Sequence, residues 1–160
     1  MNLNLLRYSF TLGLILILIF LISVSWPSFE NNILLLNVIN FGVIGLALFL
    51  YFRHSTNPVS YCGIIKQSLS LAILSGLIVV VFFVVYVNFI NSLYFQDIAI
   101  SEVEKLRKMS YDEATIRKTL RVIGVGKRYH IKEISLFISI VLRALILTLI
   151  FGPIFTKKIT

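Results

Sequence analysis

The chain has 160 residues, of which 58% are hydrophobic and only 14% charged, and its mean hydropathy is +0.94. Soluble globular domains carry about 25% charged residues, so this much apolar surface excludes an ordinary soluble domain and makes lipid the solvent. The formal net charge is +8, and most of the basic residues behind it lie in one polar linker or beside apolar runs, a placement that suits anionic headgroups and argues against nucleic acid as a partner.

The first apolar run, about 8–26, follows Arg7 and ends at Trp26-Pro27. It is longer than the h-region of a signal peptide, and Ser23 and Ser25 are followed by a poor cleavage context, so a retained transmembrane helix is expected, with Trp26 at an interface and Pro27 as the stop. The second run, about 33–52, follows a short connection and must return as an antiparallel neighbour. Asn37, Asn40, Gly42 and Gly45 interrupt its Leu/Ile/Phe face. Small residues let helix backbones approach in lipid, and asparagines there act as packing glue worth about 0.6 kcal/mol each on average. Arg53 and His54 end this helix at a headgroup layer.

Residues 54–66 read as a loop, with Asn57-Pro58 as the turn. Cys62, the one cysteine, excludes an intrachain disulfide and any multi-cysteine metal site, and reads as an ordinary buried thiol. The third run, about 67–95, is longer than a bilayer requires and carries Ala72 and Gly76 at small-xxx-small spacing. Its far end, with Tyr86, Asn88, Asn91 and Tyr94, reads as interfacial.

The linker, 96–133, is the only substantial polar segment. Ser101 with Glu104 and Ser110 with Glu113 fit the S/T-x-x-E capping box, predicting two short helices. The second has acids in its first turn, bases later and Gly124 and Gly126 as its end. Ile116, Leu120 and Ile123 share one of its faces, so it either lies on the membrane surface or caps the bundle, or serves as a solvated linker. The fourth run, about 134–155, ends at Gly152-Pro153 and Lys157-Lys158, a basic terminal anchor.

The fold class expected is therefore all-α: an integral membrane four-helix bundle with an amphipathic helical linker between the third and fourth spans. Counting Lys and Arg alone puts the linker, which holds nine, in the cytoplasm. Arg7, the basic short loop and the basic tail favour the opposite orientation, and both termini are expected in the cytoplasm.

These four runs contain no Asp or Glu, so acid–base chemistry and a proton relay of the usual kind are not expected. Ser75, Ser135 and Ser139 have no histidine in any span, which argues against an intramembrane hydrolase. His54 and His130 lie in different linkers, with no ligand set for a metal and no cofactor motif. What remains is a polar stripe. Ser135, Ser139 and Arg143 recur every four residues on the fourth span, with Asn40 at a similar depth on the second span and Asn37 shallower. A guanidinium in hydrocarbon costs about 2.5–3.5 kcal/mol on translocon scales and needs an outlet. Three remain open: snorkelling and hydrogen bonds to Asn and backbone carbonyls, a partner's carboxylate, or a bound anion or lipid phosphate.

Several short segments carry a resemblance. Tyr51-Phe52-Arg53 closes the second span, Lys66-Gln67 enters the third, Tyr86-Val87-Asn88-Phe89-Ile90-Asn91 leaves it, Met109-Ser110-Tyr111-Asp112-Glu113-Ala114 lies in the linker, and a basic tail follows the last span. Together they resemble a family of small four-span membrane proteins common in Bacteroidota, the domain of unknown function 4199. That resemblance implies the topology and a bacterial inner membrane, and implies no activity or site. The expected function is a non-enzymatic membrane protein acting as an accessory or assembly component through helix–helix contacts, with membrane lipids and a second copy or a partner membrane protein around it. The alternative is a small-anion or lipid transporter or channel that uses Arg143.

Overall fold

The computed structural model describes residues 3–26, 32–54, 60–128 and 130–156, with the side chains at 33, 126–128 and 155 excepted. The helix stop at Pro27, the Asn57-Pro58 turn and the Lys157-Lys158 anchor lie outside the described residues. Among the described residues six α-helices follow in order: α1 (Leu3–Ser25), α2 (Ile33–Arg53), α3 (Tyr61–Val85), α4 (Tyr94–Lys108), α5 (Glu113–Arg128) and α6 (Ile131–Thr156). Among the described residues there are no strands, and the fold is an all-α helical bundle. Four helices, α1, α2, α3 with its continuation to Ile90, and α6, are long and apolar enough to cross a membrane. Helix is the only open-chain solution there, because lipid offers no partner to a free backbone N–H or C=O.

The boundaries differ from the sequence expectation at identifiable caps. Helix α3 starts at Tyr61 rather than near residue 67, because Ser60 accepts the Gly63 N–H on its hydroxyl and the Ile64 N–H on its carbonyl. At the other end the chain widens into a π turn, Tyr86–Ile90, closed by the Asn91 N–H donating to the Tyr86 carbonyl at 2.7 Å. Asn32 caps α2 by accepting the Leu35 N–H on Oδ1. The chain divides into two compact units, one of residues 1–79 and 136–160 and the other of residues 80–135.

In the first unit helices approach closely at three glycines, Gly13, Gly76 and Gly152. A Cβ on Gly13 of α1 would stand 3.0 Å from Ile78 of α3, and one on Gly76 of α3 would stand 3.0 Å from Phe137 of α6. Ser9, Ser68, Ala72 and Ser75 are buried with Leu12, Ile44, Ile64 and Leu71. The buried hydroxyls of Ser9 and Ser75 donate to carbonyls in their own helices, those of Leu5 and Ala72, so they act as small packing surfaces and need no partner from another helix.

The second unit holds α4 and α5. Buried Tyr94 packs edge-on against Phe83 at 5.6 Å and Tyr86 at 6.0 Å, and Lys132 stands over its ring at 5.5 Å. The expected caps shift here. Ser101 and Glu104 lie inside α4, which starts at Tyr94 and is bridged by Lys105 and Glu102. Ser110 is not the cap of α5; it terminates α4. Its φ of 58° lets its N–H reach the Arg107 carbonyl and the Tyr111 N–H reach that of Leu106, the two bonds of a Schellman ending. Asp112 caps α5 instead. The Thr115 hydroxyl donates to its carboxylate and, with the N–H groups of Thr115 and Ala114, holds that carboxyl below the usual range. Gly124 and Gly126 do not end α5, which runs on to Arg128. Of the apolar face, Ile116 is buried, Ile123 is half-buried and Leu120 is 40% exposed.

Two outcomes follow from this turn. A non-glycine residue in the left-handed region costs about 1 kcal/mol, so Ser110→Gly should raise the thermal unfolding midpoint of the detergent-solubilised protein. A depressed Asp112 pKa means its capping contribution is complete above the unfolded value, about 3.9, and is lost as pH falls through the lower folded value. Circular dichroism should therefore show a helical loss below about pH 4 in the wild type that exceeds the loss in Asp112→Ala.

Candidate functional site

Arg143 lies near the middle of α6, with its Cα about 18 Å from Ile131 and about 20 Å from Thr156 along the axis. Side chains on a helix lean toward its N-terminus, and the long arginine stem carries the charge that way. Its Nη2 donates to Asn37 Oδ1 at 2.6 Å, and its guanidinium carbon lies 5.6 Å from the centre of the Phe41 ring. Asn37 is in the second turn of α2, only about 6 Å along the axis from the first residue of that helix. The charge is therefore delivered away from the bilayer centre, onto a neutral acceptor and an aromatic face. A cation over a ring contributes about 0.5–2 kcal/mol, more as water is excluded. Among the described residues Arg143 makes no ion pair and has Asn37 as its one side-chain hydrogen-bond partner.

The other residues of the expected stripe are placed differently. Asn40 is half-buried on α2 and makes no side-chain hydrogen bond among the described residues. Asn37 and Phe41 are four residues apart and share the face that meets Arg143, whereas Asn40 is turned about 60° from Asn37. Ser139 is half-buried on α6 and Ser135 is exposed in the other unit, as the drift of about 40° per four residues carries the stripe around the helix. Tyr86 and Asn88 also belong to the other unit.

Beyond Phe41, an apolar groove of about 610 Å³ lies along α2 and α6. Phe41, Gly42 and Phe49 from α2, Leu147 and Phe151 from α6 and Ile64 from α3 are among its walls. Gly45 meets Leu147 at an ordinary 3.7 Å from a would-be Cβ, while nothing lies within 4 Å of one on Gly42. Thr148 is the one hydroxyl in the lining, and it donates to the Ala144 carbonyl in its own helix. At one end the Tyr61 ring stands 2.7 Å from where a Cβ on Gly152 would be, so only glycine admits that contact.

One ionisable residue escaped the sequence reading. Glu133 was counted with the polar linker, but α6 starts at Ile131 and its side chain is only 6% exposed. Oε1 is 3.1 Å from His130 Nδ1, while Oε2 has no hydrogen-bond partner. The sequence signal was present: Glu133 directly precedes the apolar run, where a first-turn acid is favoured by the helix dipole. Cys62, expected as a buried thiol, is exposed because it lies in the first turn of α3. His54 caps α2, its Nδ1 lying 2.8 Å from the Leu50 carbonyl and 3.1 Å from the Tyr8 hydroxyl. Among the described residues no group of three His, Cys, Asp or Glu side chains could hold a metal ion. Comparisons with protein-family models, with curated proteins and with solved structures found no match to the chain.

The Arg143 seat makes an asymmetric prediction. Removing Asn37 leaves a charge without its acceptor, whereas removing Arg143 leaves only a neutral amide. Asn37→Leu should therefore lower stability in detergent unfolding more than Arg143→Leu does, and a double-mutant cycle should return a coupling of about 0.6 to 2 kcal/mol.

Proposed function

We propose that this chain is a non-enzymatic integral membrane protein that serves as an accessory or assembly component, holding a second copy or a partner membrane protein through helix–helix contacts. The observation that carries this reading is the half-exposed guanidinium of Arg143. It has five N–H donors and Asn37 as its one side-chain acceptor among the described residues, on the flank of α2 and α6. A carboxylate, a serine hydroxyl or an unwound carbonyl on an approaching span would complete that set, and such contacts supply specificity where lipid provides no hydrophobic drive between helices. The long apolar side chains exposed along the four spans, such as Phe10, Leu46, Val81 and Ile146, mark surface that lies against lipid or another helix. The resemblance to the domain of unknown function 4199 supports a bacterial inner membrane as the site of action. The basic character of Arg7, Arg53 and Lys66 supports cytoplasmic termini.

The alternative, a small-anion or lipid transporter or channel, takes its support from the same guanidinium, which an anion could also satisfy. One comparison separates the two. Wild type and Arg143→Leu are purified from the native membrane, their assembly state is measured, and chloride and phosphate flux is followed in liposomes. Loss of an oligomer or of a co-purifying membrane protein in Arg143→Leu, without flux in either protein, is the expected result. Unchanged assembly with flux present in the wild type and abolished in the variant would overturn the accessory role.

A further inference from the structure

The groove along α2 and α6 has a length and a charged end that point to its occupant. Its α2 wall runs from Phe41 to Phe52, a rise of about 16 Å, which is half of the roughly 30 Å hydrocarbon core and so the depth of one leaflet. A transmembrane helix would need about twice that length. Its inner end stops at Phe41, where the ring is covered by Arg143. The lining offers no free polar group, since the hydroxyl of Thr148 is committed to its own helix.

The outer end carries a charge. Arg53 closes α2 four residues beyond Phe49, on the same side of the helix as that groove residue, and is exposed with no ion pair among the described residues. It stands where the span ends, at headgroup level. We propose that this groove is a lipid site, in which an acyl chain of an anionic phospholipid from the leaflet at the C-terminal end of α2 lies between α2 and α6 with its phosphate at Arg53. The site meets the seat of Arg143 only at the Phe41 ring and takes its charge from Arg53, so either could fail without the other.

The test uses the full-length protein in phosphatidylcholine vesicles doped with phosphatidylglycerol that carries a photoactivatable diazirine on its acyl chain. Adducts are mapped by peptide mass spectrometry. Labelling of residues 41–52 and 147–154 should exceed that of Phe10, Leu14 and Leu18, the exposed face of α1, several-fold. Gly42→Phe, which fills open space, should abolish the excess, and Gly42→Ala, too small to fill it, should keep it. Arg53→Gln should lower the preference for phosphatidylglycerol over an equally labelled phosphatidylcholine about five-fold, the loss of one headgroup-level charge. Even labelling of α1 and the groove, an excess that survives Gly42→Phe, or crosslinks to a second protein chain in place of lipid would each overturn the assignment.

Discussion

A charge held in hydrocarbon must be satisfied by the protein or carried to the edge, and Arg143 does both. Its helix places the Cα near the middle of a span, its stem leans back along α6, and Asn37 receives Nη2 at 2.6 Å in the second turn of α2. This one interaction joins the second span to the fourth and marks their register. The second and fourth spans cross in the same direction, so Asn37 and Phe41 can meet Arg143 while Gly45 meets Leu147 a turn further on. An aspartate in place of Asn37 would pair more strongly but would add a second charge to be desolvated. The neutral amide and the ring of Phe41 spread the positive charge without that cost.

The remaining contacts of the first unit follow a different rule. Helices in lipid gain little from burying apolar surface against one another, so packing at short range has to do more. Small residues supply it: Gly13 against Ile78, Gly76 against Phe137 and Gly152 against Tyr61 are approaches that a larger side chain would block. The buried hydroxyls of Ser9, Ser75 and Thr148 bond back to their own helices. They look polar in the sequence and behave as small residues in the fold. The same economy leaves Gly42 bare, and with it the groove that runs one leaflet deep beside α2.

The four spans could be read from composition because hydrocarbon thickness dictates their length and permits few charges. Asn37 and Arg143 could be named for the same reason. Which asparagine would meet the arginine could not, since depth favoured Asn40 and only the rotation of α2 against α6 decides for Asn37. The linker was harder. Ser110 and Glu113 have capping-box spacing, yet the αL conformation of Ser110 ends one helix, and Asp112 begins the next. Gly124 and Gly126 signal a stop by propensity alone, a preference of about 1 kcal/mol per residue that does not break α5 before Arg128. Glu133 was hidden by its position at the seam between polar and apolar text, where a shift of a few residues in a helix start turns a linker acid into a buried one.

The membrane-embedded charge of Arg143 rests on a neutral amide within this chain. Magic-angle-spinning NMR of the protein in lipid bilayers, with the arginine guanidinium nitrogens and asparagine side-chain carbonyls isotopically labelled, measures this directly. A through-space correlation between an Arg143 Nη and the Asn37 carbonyl carbon, lost in Asn37→Leu and retained in Asn40→Leu, is expected. A guanidinium correlated instead with Asn40, or with lipid phosphate and no asparagine, would contradict it.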